Sequence, residues 1–185
     1  MNTTPTRLLD LLSRAFRRLG GLQAAVLVLG VPCLSAQDKA ESPQPTVASS
    51  SGFEVTATKA LEAMRRRAVE LKIQGVAVVA YAEGNSVTSW SSKMLVVGHM
   101  TTPASEKDKG NNLLGIAYAK ASEMASTLKD SGSGVRPPYT GEFGWQGGVV
   151  AQGKTGILIA AFSGGRSEDD VNVSKSGLGI LAASL

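Results

Sequence analysis

"GGVVAQGKTGILIAAFSGGRSEDD", residues 147–170, decides the fold. Gly147 to Gln152 reads as a strand, Gly153-Lys154 as a turn, and Thr155 to Gly164 as the returning strand of a hairpin. Ile157 to Phe162 is continuously apolar, so both faces of that strand must be covered. Gly164 and Gly165 end the strand and let the chain turn. Ser167 stands where a helix N-cap belongs, and Asp170 three residues on approximates a capping box. Glu168, Asp169 and Asp170 put negative charge in the first turn, where it meets the positive end of the helix dipole. A calcium site needs more oxygen ligands than this short run supplies alone. The final helix runs from about Glu168 to the C-terminus, with Val171, Ser174, Leu178, Leu181 and Leu185 facing inward.

The same grammar recurs upstream. Ala57, Leu61, Met64, Ala68 and Leu71 recur at helical spacing and predict a helix from about Val55 to Ile73. Its run Arg65-Arg66-Arg67 has no interleaved aromatics and reads as a solvated face, not a nucleic-acid patch. "GVAVVAYA", residues 75–82, is a buried strand, "EGN" a turn, and "SVTSWSSKMLVV", residues 86–97, the returning strand. After a polar loop (Thr101 to Asn112), Asn112 caps a helix whose apolar residues run from Leu113 to Leu128. Gly132 is its expected stop. Residues 131–146 hold too much Gly and Pro for regular structure and form a long loop. The order helix, two strands, helix, two strands, helix predicts an α+β fold. Its antiparallel sheet is built from two hairpins and flanked by helices.

The N-terminus has a different character. Arg7, Arg14, Arg17 and Arg18 precede "LQAAVLVLGVPCL", residues 22–34, an apolar stretch too short to span a bilayer comfortably. "LSAQ" follows, and residues 1–36 read as a signal peptide cut after Ala36, which predicts a secreted or periplasmic protein. An uncleaved membrane anchor is the alternative. Pro32 before Cys33 disfavours lipidation, and "LGGL" after Arg17-Arg18 is a poor twin-arginine match. Residues 37–54, polar and rich in Pro and Ser, read as a disordered linker, which leaves 55–185 as the domain. The chain of 185 residues carries 19 Lys+Arg and 15 Asp+Glu. The leader holds four of those Arg and one Asp, leaving 15 against 14 and no charge bias toward nucleic acid or anionic membrane. The mature domain is not expected to span a membrane. Cys33 is the only cysteine and falls in the leader, so the domain has neither a disulfide nor a thiolate metal site.

"GVAVVAYAEGNSV", "AYAKASEMA" and above all "GGVVAQGKTGILIAAFSGGRSEDDVNVSKSGLGIL" resemble the GlcG/HbpS-like family, also seen as the C-terminal domain of PduO-type proteins. The resemblance covers roughly residues 55–185. Lys93-Met94 stands in for the family's Arg-Met, and Leu95-Val96-Val97 replaces its acidic segment. The resemblance implies a sheet flanked by helices and assembly into homo-oligomers. It also implies binding, sensing or degradation of haem or a related tetrapyrrole. A fold of this kind predicts function weakly.

His99 is the only histidine and hence the only strong neutral nitrogen ligand for a haem iron. Met100 follows it, but neighbours on a strand point to opposite faces and cannot easily clamp one iron. Without haem, His99 is a surface histidine at a strand end. Tyr81, Tyr118 and Tyr139 are phenolate candidates that otherwise pack. Tyr139 stands out because its long loop can fold over a pocket. Lys120 matches a residue that the family places on its second helix. It is expected either to bind a carboxylate, such as a haem propionate or an organic acid, or to face solvent or an oligomer contact. A single His excludes a multi-histidine zinc site, and no carboxylate pair has a spacing that marks acid/base catalysis. Three readings follow: a tetrapyrrole-binding accessory or sensor; an enzyme with slow haem-degrading or small organic-acid activity; or a cofactor-free oligomeric interaction module.

Overall fold

Alternate residues of the two most apolar strands serve two different cores, and this arranges the rest of the chain. In the computed structural model, which describes residues 47–185, the elements are α1 (Val47–Glu70), β1 (Gly75–Glu83), β2 (Ser91–Val97), β3 (Thr101–Thr102), β4 (Asn111–Asn112), α2 (Leu113–Thr127), β5 (Gly148–Gln152), β6 (Gly156–Ser163) and α3 (Ser167–Ser184). The main sheet has the order β2-β1-β6-β5, antiparallel throughout. Two hairpins are thus joined along their inner strands, with Val78 opposite Ala161.

Ala77 and Val79 of β1 and Leu158, Ala160 and Phe162 of β6 face one side. There they meet Ala57, Leu61 and Met64 of α1 and Val173 and Leu181 of α3. Ala80, Ile157, Ile159 and Ala161 face the other side and meet Ala121 and Met124 of α2. Both faces of β1 and β6 are covered, which is why Ile157 to Phe162 carries no polar residue. The chain is therefore an α+β fold with helices flanking an antiparallel sheet. No helix among the described residues is long and apolar enough to cross a membrane.

Several boundaries differ from expectation. The first helix begins at Val47, eight residues early, so residues 47–54 are helical and not linker. Its early turns are tethered by Phe53, which is 1% exposed and stacks on Tyr81 with ring centroids 6.2 Å apart. The first hairpin's returning strand starts at Ser91 and not at Ser86, because residues 86–90 leave the sheet. Asn112 caps α2 as expected, its side chain accepting from the Gly115 N–H at 2.9 Å. The helix stops at Thr127, where Leu128 takes a left-handed φ of 53°, and not at Gly132. On α3 the buried positions are Asp170, Val173, Ser174, Gly177 and Leu181, while Val171, Leu178 and Leu185 only pack at the rim of that core. Gly177 is required there, since a Cβ would lie 2.5 Å from the Met64 sulfur of α1. The expected signal peptide (1–36), Cys33 and the first part of the expected linker (37–46) lie outside the described residues.

Candidate functional sites

Two cavities open at the same end of the sheet, where β1 begins and β2 and β6 end. One is a groove of about 550 Å³ between the last turns of α1 and the end of β2. Val69, Ile73, Val96 and Val97 form its apolar walls, Lys72 supplies positive charge, and Arg65 at the same wall is held by Glu62 in a two-pronged pair at 2.6 and 2.8 Å. Val69 is 58% exposed and Val96 38%, so this apolar surface is open to solvent.

His99 is exposed and does not itself line that groove, but it follows directly on it. Its neighbour Gly98 lines the groove, and so does Gln74, whose Oε1 lies 2.6 Å from His99 Nδ1. The amide oxygen can only accept, so Nδ1 is the donor of this contact, and in the neutral ring that tautomer leaves Nε2 as the free nitrogen. Gly98 makes this contact possible: it has φ +81°, and a Cβ would sit 2.5 Å from the Gln74 amide. Gln74 was not legible as a site residue. The only signal was a glycine directly before the lone histidine.

The second cavity, about 250 Å³, lies on the α2 face, bounded by α2, the end of β6, the start of α3 and Trp145. Lys120 reaches into its wall from α2. The side chain is buried, and Nζ donates to the Phe162 carbonyl and to Asp170 Oδ2, both at 2.8 Å. The expectation of a solvent-facing lysine is therefore corrected. Gly147 (φ +133°) leaves the space that Nζ occupies, since any Cβ there would collide with it.

Asp170 is correspondingly not the closing acid of a capping box. The position before α3 is Arg166, and it makes no side-chain capping bond. Asp170 instead points into the protein, 4% exposed, and its Oδ1 accepts the Gly165 N–H at 2.8 Å. The chain turns through Gly164 and Gly165 so that this carboxylate meets Lys120. Burial pushes the Lys120 ammonium below its ordinary value, against the opposing pull of Asp170. Burial also raises Asp170, opposed by Lys120 and the backbone N–H groups. The carboxylate already balances the lysine, so the pair does not present a free cation to an acidic ligand.

Tyr139 lines neither cavity. It is 65% exposed, with the Arg136 guanidinium 3.8 Å from its ring centroid. Arg136 also holds Glu142 in a two-pronged pair at 2.6 and 2.8 Å, which fixes the loop 131–146. Tyr81 bonds Thr155 Oγ1 at 2.9 Å and Tyr118 contacts Ser92 Oγ at 3.3 Å, so both serve packing. The structure thus places His99, Lys120 and Tyr139 in three separate surroundings. The described residues hold no group of three or more His, Cys, Asp or Glu side chains fit for a metal ion. No protein-family model matches this chain, and no curated protein matches it either.

Proposed function

We propose that the domain binds haem or a related tetrapyrrole in the groove between α1 and β2, where His99 would hold the iron, and acts as an accessory or sensor. The observation that carries this reading is the 2.6 Å contact between His99 Nδ1 and Gln74 Oε1. A metal-ligating histidine characteristically donates its other ring N–H to an oxygen, which fixes the tautomer and raises the basicity of the free nitrogen. The groove has the remaining chemistry. Its valine and isoleucine walls suit an apolar macrocycle, and Lys72 suits a propionate, while Arg65 is already engaged by Glu62. Its volume lies within the range of about 300–1,000 Å³ typical of cofactor sites. Bound there, the group would supply a redox-active iron.

The resemblance to GlcG/HbpS-like proteins points the same way and adds assembly into homo-oligomers, which sedimentation velocity of the full chain tests. Absorbance titration of the full chain with haemin tests the binding. A saturable Soret shift at micromolar haemin is expected, weakened at least tenfold by Val69→Asp, a change at an exposed position. No shift, or a shift indifferent to Val69→Asp, overturns the reading.

A further inference from the structure

The second cavity has a different chemistry from the groove. Lys120 and Asp170 are its only charged lining residues, and they neutralise each other. Glu168, Asp169 and Asp170 in the first turn of α3 offset that helix's positive end. A carboxylate ligand would sit beside Asp170, and a cation beside Lys120, so neither charge is favoured.

Unused hydrogen-bonding groups converge on the same space. Ser163 is 4% exposed, yet its hydroxyl bonds to none of the described residues. Among the described residues, no fully enclosed side-chain oxygen or nitrogen lacks a partner. The Ser163 hydroxyl therefore keeps its access through the cavity it lines. An ammonium has three protons, and Lys120 gives two of them to Phe162 and Asp170. Gln146, an exposed residue, also lines the cavity, and its side-chain amide bonds to none of the described residues. Trp145 forms one wall. It is 49% exposed and backed by Phe143, with ring centroids 4.8 Å apart. An indole held by a second ring, beside a cluster of neutral donors and acceptors, offers both an apolar face and directed polar contacts.

We propose that this cavity binds a neutral polyhydroxylated molecule of monosaccharide size. The apolar face of the molecule stacks on Trp145, and its hydroxyls bond to Ser163, Gln146 and the remaining N–H of Lys120. The volume of about 250 Å³ admits one such ring and excludes a macrocycle. The site is distinct from the haem groove, so Ser163→Ala and Trp145→Ala leave the haemin titration unchanged.

The test is isothermal titration of the full chain with glucose, galactose, mannose and inositol, and with glycolate and lactate as the carboxylate arm. Trp145 emission in a Trp90→Phe background gives a second readout. At least one polyol is expected to bind saturably at millimolar concentration and to change the emission. Ser163→Ala and Trp145→Ala, checked for native melting, weaken it at least tenfold. The proposal is overturned by silence across the polyols, by tighter binding of a carboxylate, or by polyol binding that survives both substitutions.

Discussion

Lys120 and Asp170, 50 residues apart in sequence, meet at 2.8 Å with their side chains 4% and 5% exposed. The contact ties α2 to α3 at the end of the sheet. Removing one partner of a buried pair leaves the other charge without compensation, at a cost of about 3–5 kcal/mol. Asp170→Ala is expected to lower stability by that amount in urea denaturation. The double change Lys120→Met with Asp170→Leu, which removes both charges and keeps apolar volume, is expected to recover most of the loss. A double variant as unstable as the single one would show that the backbone turn through Gly165, and not the charge pair, is what Asp170 supports.

Gly98 and Gln74 give a second prediction. Gly98→Ala puts a side chain at φ +81° and into the Gln74 amide. Strain of this kind costs about 1–3 kcal/mol. The variant is expected to lose that stability in thermal melts, and its haemin affinity should fall together with that of Gln74→Ala. Unchanged haemin affinity in both would detach Gln74 from the site.

The loop that carries Trp145 should respond to acid. Glu142 is pulled from 4.5 to about 2 by its hydrogen bond from Arg136, helped by the Tyr139 N–H. A carboxyl depressed in the folded state contributes its stabilisation above its unfolded value and loses it as pH falls through the folded one. The window here runs from about 4.5 down to about 2. Trp145 emission in the Trp90→Phe background should shift across that window, and Glu142→Gln should show the shifted emission already at neutral pH. A flat profile in the parent protein would mean that the loop is held by other contacts.

What was legible in the sequence was what is written in neighbouring residues. The apolar run Ile157 to Phe162 foretold a strand covered on both faces, and β6 is buried throughout. Asn112 announced its helix because a cap and the N–H it accepts are three residues apart. The start of the first helix is obscured because Ser49 to Gly52 look like linker, while the residue that extends it, Phe53, is rewarded only by Tyr81 across the fold. Asp170 was misread for a related reason. A Ser followed three residues later by an acid resembles a local cap, whereas its actual partner comes from another helix. Ser163 carried no signal, since a hydroxyl that bonds to none of the described residues is defined by what the surrounding elements fail to offer it. Gln74 carried almost none, because an exposed glutamine becomes a positioning group only when Gly98 brings His99 against it.

The central claim is that His99, oriented by Gln74, ligates a haem iron at the α1–β2 groove. The most direct measurement is the visible spectrum of the ferric haemin complex of His99→Ala beside that of the double variant Lys120→Met with Asp170→Leu. The account predicts that His99→Ala loses the Soret shift and regains it with added imidazole, while the double variant keeps the parent spectrum. An unaltered spectrum in His99→Ala would contradict it.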